Sequence, residues 1–189
     1  MAHILRTRLA DAVVSGIQGN AERKVKEMAV KWLNIFHAHP DCFAGSSSRR
    51  INVTEVSVNP STLEDALVGT VVCEIDVTED ILDGQDELSN AFIVLLIDEC
   101  ATAAVTALNY AEGGLGIAGV SQSLNTVFHN SSSLQVAGAR LRIINTTLSA
   151  GSSSMSCRSE VWDLTRRRLI ASGVFVGMQS SQPKGLVRL

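Results

Sequence analysis

Apolar positions along the chain fall into three patterns, and each predicts a different kind of element. From residue 4 to residue 37 they recur at helical spacing among charges. Val25, Met28, Ala29, Trp32, Leu33 and Phe36 form one stripe. Gly16 and Gly19 separate segments 4–18 and 20–37, so two helices or one broken helix are expected on the outside of the core. From Ile51 the pattern becomes that of strands. Ile51, Val53, Val56 and Val58 end at Asn59-Pro60, and Val68 to Val77 alternates before a turn at Asp83-Gly84. The third pattern is the longest apolar segment, Ser89 to Glu112, which is apolar nearly all round. Ala91 to Ile97 alone fits a helix or a strand, but continuation through Ala101, Ala103, Ala104, Ala107 and Leu108 decides for helix. Ser89 or Asn90 suits its N-cap and Gly113-Gly114 its end, giving a helix of about 23 residues, roughly 35 Å long. Four strand-like runs follow: Gly119–His129, Ala139–Leu148, Ser153–Trp162 and Leu169–Met178, read as an antiparallel meander.

Two strands, one apolar helix and four strands call for a curved sheet that wraps the helix. The expected fold is therefore α+β, an antiparallel sheet around one long central helix in the hot-dog arrangement. Residues 1–48 form an N-terminal helical extension, 49–179 the hot-dog domain, and 180–189 a loose tail. An open sheet of this kind leaves edges, which a second copy commonly closes.

Composition adds limits. At 46% hydrophobic and 19% charged residues, the 189-residue chain has room for a sizeable core. A net charge of −3 and only 4% aromatics argue against a nucleic-acid surface. Cys42, Cys73, Cys100 and Cys157 lack ligand spacing and read as reduced core thiols. Asp98 and Glu99 interrupt the best candidate for a membrane span, and no signal-peptide core is present. The expected location is cytoplasmic, with a mitochondrial one left open because Arg6 and Arg8 precede the first acid, Asp11. His37 and His39 lack a third ligand, so no metal is expected, and neither a GxGxxG nor a P-loop is present.

Asp98 is the residue to explain. It lies too far into the helix to cap it, and its helical neighbours Val94, Leu95, Ala101 and Thr102 include no cation. A carboxylate on an apolar face is costly unless it is paired. Either it reaches a boundary or a backbone donor, or it serves as a general base in a pocket. In the strand after the helix, period two puts Val120, Leu124 and Phe128 on one face and Ser121, Ser123 and Asn125 on the other. That polar row faces solvent, a partner or a site. His129 would project roughly 26 Å from Ser121 in an extended strand, so the two do not form a nucleophilic pair.

The run Gly119-Val-Ser-Gln-Ser-Leu-Asn-Thr-Val-Phe128 resembles the strand after the central helix in hot-dog acyl-CoA thioesterases of the phenylacetate-pathway and small mitochondrial-associated types. Val71 to Val77, Asp98, Gly138 to Ile143, and Trp162-Asp163 through Gly173 agree with it, so the resemblance spans about residues 50–178. It implies an acyl-CoA thioester hydrolase, a homodimer or dimer of dimers with sites shared between subunits, and no cofactor beyond the CoA of the substrate. In that family a His-Gly-Gly run begins the central helix, and one glycine amide polarises the thioester carbonyl. An acid further along the helix, supplied by the other subunit, acts as base or nucleophile. Asp98 matches the acid and Ser121 the water-orienting hydroxyl. Here Ser89-Asn90-Ala91 stands at the His-Gly-Gly position, and a preceding family Asn falls near Asp83. The implied catalytic set is Asp98, Ser121 and the Asn90 amide; Asp83, Ser89, Ala91, Asn125 and Arg158 are the expected substrate contacts. Arg140 and Arg142 also offer cations for CoA phosphates, whereas the basic Arg166 to Arg168 turn reads first as a solvated loop. The departure at Ser89-Asn90-Ala91 favours, as alternatives, a non-hydrolytic binder of an acyl thioester or apolar ligand, or a dehydratase or isomerase in the same pocket.

Overall fold

Six antiparallel strands curve around one helix in the computed structural model, which describes residues 2–38, 43–62, 65–129, 138–151 and 154–179. The strands are β1 (Asn52–Pro60), β2 (Leu67–Asp76), β3 (Val120–Phe128), β4 (Arg140–Ala150), β5 (Ser154–Asp163) and β6 (Arg168–Met178). Helix α5 (Asn90–Ala111) lies in their concave face. Four shorter helices precede β1: α1 (Ala2–Arg6), α2 (Asp11–Val14), α3 (Arg23–Phe36) and α4 (Gly45–Ser48). The fold class and all six strands agree with the reading from sequence. The tail from Ser180, Ser152 and Ser153, His39 and Cys42 lie outside the described residues.

Strand order departs from a meander. It runs β1-β2-β4-β5-β6-β3, so β3 crosses to the far edge beside β6 and β2 pairs directly with β4. Burial explains the exchange. Val71 to Ile75 on β2 are all buried, as a central strand requires, whereas β3 is exposed over most of its length. Serine, glutamine, asparagine and threonine make β3 tolerable at an edge.

The N-terminal pattern resolves differently from two long helices. Only α3 is long, and it packs against α5 on the side away from the sheet. Val25, Ala29 and Leu33 join one continuous core with Leu96, Ile97 and Ala104 of α5 and Leu141 and Ile143 of β4. The helix is thus wrapped by the sheet on one side and by α3 on the other. By length and a mean hydropathy of 1.9, α5 is apolar enough to cross a membrane, but 78% of that window is buried in the protein.

The stretch between α2 and α3 takes an unexpected role. Gln18 bridges Glu55 in parallel, with Gln18 N–H donating to Thr54 O at 2.8 Å and Val56 N–H to Gln18 O at 3.0 Å. Asn20 adds bonds to Val58 and Asn59. Gly19 makes this approach feasible: its φ is +93°, and a Cβ there would sit 2.2 Å from Val56 O. The outer edge of β1 is therefore covered.

Candidate functional site

Helix α5 is uncovered along one stripe near its start. Asn90 and Ala91 are exposed, and Val94, Leu95 and Asp98 are half-buried, while Phe92, Ile93, Leu96 and Ile97 are sealed in the core. Asn90, Val94 and Asp98 follow i, i+4, i+8 spacing, so they share one face. Ser89 precedes the helix without a side-chain cap, and no acid occupies its first turn. The first amides therefore keep their positive end of the helix dipole unneutralised.

At the other end of the stripe, Ser121 Oγ donates to Asp98 Oδ1 at 2.8 Å. This contact corrects the strict alternation read along β3. Ser121 pairs with Gly177, but Ser123 pairs with Val176, so a bulge at Gln122 intervenes. Leu124 pairs with Phe175 and Thr126 with Gly173, whose position is in contact range of Ile97 on α5. Ser121 thus shares the helix-facing side with Leu124, opposite Ser123 and Asn125.

The remaining expected contacts do not converge on Asp98. Asn125 and Arg158 both pair with Val174, on the convex face of the sheet, and Arg158 is held by Glu160 at 3.0 Å. Asp83 turns onto its own loop, where Oδ1 accepts Gln85 N–H at 2.8 Å and Glu87 N–H at 3.1 Å. It shapes the approach to α5. Arg140 and Arg142 are engaged with Glu74 on the convex face, Arg142 at 2.6 Å.

Of the two acids on α5, the buried one is Glu99, not Asp98. Glu99 points toward the N-terminal side, where His37 Nε2 lies 3.0 Å from its Oε2, both nearly sealed from solvent. The two residues are 62 apart in sequence, and no local pattern links them. No cluster of three potential metal ligands occurs among the described residues. Cys100 and Cys157 are poor nucleophiles. The Cys73 thiol and burial push Cys100 well above the usual thiol range, and burial pushes Cys157 up to about 12. The arrangement offers chemistry of a different kind: a half-exposed carboxylate oriented by a hydroxyl, on a stripe that leads to an uncapped helix N-terminus.

No family model matches the chain, and no curated protein matches it in sequence. Solved structures do match its fold. Zebrafish thioesterase superfamily member 2 superposes with a TM-score of 0.59 at 23% identity, covering 80% of this chain and 98% of that one. The PaaI protein of the phenylacetic acid degradation operon of E. coli gives 0.54 at 16% identity, covering 82% and 94%. A hypothetical thioesterase of Streptococcus pneumoniae, solved with coenzyme A, gives 0.53 at 15%, covering 71% and 92%. With its wrapped helix and six-stranded sheet, the chain has the hot-dog fold of these thioesterase-superfamily structures.

Proposed function

We propose that the protein hydrolyses an acyl-CoA thioester, with Asp98 as the base. The observation that carries this reading is the Ser121–Asp98 hydrogen bond at 2.8 Å, made by a bulge that turns Ser121 toward the helix. Ser121 occupies one carboxylate oxygen and leaves the other to accept a proton from water. That water attacks the thioester carbon, and the carbonyl oxygen gathers negative charge. The Asn90 N–H, at the positive end of α5, is the donor that meets it. Collapse of the tetrahedral intermediate releases the CoA thiolate, which takes up the proton.

One chain does not complete this site. Asn90 and Asp98 are eight residues apart, roughly 12 Å along the helix axis. A base reaching an attacking water and a donor reaching the carbonyl oxygen must both lie within a few ångströms of one carbon. We therefore assign the two groups to different copies, joined at the bare β3 edge, where Val120 and Met178 are exposed. A homodimer is the minimal unit, and the coenzyme A in the Streptococcus pneumoniae structure suits this substrate class. Arg158 remains the candidate for CoA phosphates, from the convex face.

The test is thiol release from short, long and aromatic acyl-CoAs. Asp98→Asn, which keeps an acceptor for Ser121, should lower kcat at least about a hundredfold with an unchanged melting temperature. Undiminished turnover would remove Asp98 from the mechanism. A second reading, a binder that does not turn over, is favoured by Ser89-Asn90-Ala91, whose side chains narrow the approach that glycines would leave open. Acyl-CoA binding without hydrolysis in the wild type would select it.

A further inference from the structure

Away from the α5 N-terminus, the N-terminal extension and the loop after α5 line a half-open cavity of about 620 Å³. Its floor is apolar: Leu5 of α1, Met28 of α3, Tyr110 of α5, and Leu115 and Ile117 of the following loop. Its rim is basic. Arg6, Arg8, Arg23, Lys24 and Lys31 line it, against a single lining acid, Glu27. The whole chain carries a net charge of −3, so this is a local concentration of positive charge.

The walls are tied in place. Trp32 Nε1 donates to Gly116 O at 2.7 Å, fixing the loop to α3. Lys31 Nζ donates to Leu5 O at 3.2 Å and Arg23 to Leu9 O at 2.9 Å, strapping the first residues over the opening. Three of the cations are engaged. Arg23 and Lys31 flank Glu27, whose carboxyl is held below its usual range because these two outweigh the opposing effect of burial. Arg8 and Arg23 share Asp11. Arg6 and Lys24 form no ion pair among the described residues and are exposed at the rim. Leu115 is 76% exposed and Ile117 42%, apolar side chains set beside cations that pair with no acid among the described residues.

We infer that this cavity binds one amphiphilic anion, an unesterified fatty carboxylate, with its chain on the Leu5–Met28–Ile117 floor and its head at Arg6 and Lys24. The volume lies inside the span of small-molecule pockets, roughly 300–1,000 Å³. Apolar walls select the chain, and the excess of cations selects the sign of the head. The site is separate from the Asp98 stripe: Tyr110 lies twelve residues beyond Asp98, roughly 18 Å along α5. It does not depend on the hydrolytic reading.

Isothermal titration with laurate below its micelle concentration tests the inference. Laurate should bind the wild type and Asp98→Asn equally. Dodecyltrimethylammonium, with the same chain and the opposite charge, should bind at least about tenfold more weakly. Arg6→Glu with Lys24→Glu, both at exposed unpaired positions, should weaken laurate at least about tenfold, as should Leu115→Asp. Absence of laurate binding would overturn the site, as would equal binding of the two head charges or indifference to all three substitutions. Binding to anionic phosphatidylglycerol vesicles without binding of monomeric laurate would also overturn it, in favour of a lipid surface.

Discussion

The two edges of the sheet are treated in opposite ways. At β1 the chain folds its own segment, Gln18 to Asn20, along the strand and consumes the outward hydrogen-bonding groups. At β3 the described residues supply nothing comparable, and Val120, Val127, Val174 and Met178 expose apolar surface there. An unprotected edge invites a further strand. The bare edge is also the one that carries Ser121. What the contrast teaches is that, among the described residues, the sheet is closed at the edge away from Asp98 and has no cover at the edge beside it, where the proposed site needs a second copy.

The comparison breaks most sharply at β3. Val120→Lys with Val127→Lys should convert a dimer to a monomer in sedimentation velocity and abolish hydrolysis. Stability of the fold should change by under about 1 kcal/mol, because both side chains are exposed. A dimer that survives would mean the bare edge is not the interface. The covered edge should respond in stability instead. Gly19→Val forces a β-branched side chain into φ +93° and against Val56 O, so a loss on the order of 3 kcal/mol is expected, or roughly 6–12 °C in the melting temperature. A melting curve matching the wild type would mean that the cover contributes nothing.

The smallest effect is one of pH. Just before β1, Arg50 hydrogen-bonds Asp80 and, with help from Ser47 and Thr78, holds its carboxyl well below the usual carboxylate range despite partial burial. A lowered folded pKa gives a contribution that is complete above the unfolded value, about 3.9, and fades as pH falls toward the folded one. Amide protection in 17–21 and β1 should therefore hold from neutrality to about pH 5 and decline below about pH 4. Protection that stays flat through acid would separate this network from the covered edge.

Elements were more legible than their arrangement. The α5 boundaries follow from alanine and leucine content and a glycine stop, which act locally, and each strand announces itself by β-branched residues and turns. Strand order is set by pairing between distant segments, and alternation carries no address for it. That is why β3 reads as a meander neighbour and sits at the far edge. Asp98 stood out as a carboxylate in an apolar run, yet the more buried acid of α5 is its neighbour Glu99, because the rotation of the helix against α3 is not encoded in α5 alone. The N-terminal stripe was readable, but its placement over α5 was not, since any apolar face would have served it.

The bulge at Gln122 behaves like a one-letter insertion in a message read in pairs. Every residue before it is displayed in the opposite frame from those after it, so Ser121 and Ser123, identical in type and two apart, stand on opposite faces. A comparison of sequences that slides one residue here without a gap matches Val120 or Gln122 to the position of the serine at the carboxylate. Loss of Gln122 would leave Ser121 opposite Gly177 and Ser123 opposite Val176 in one unbroken alternation, so the serine would keep its place at the helix without the bulge.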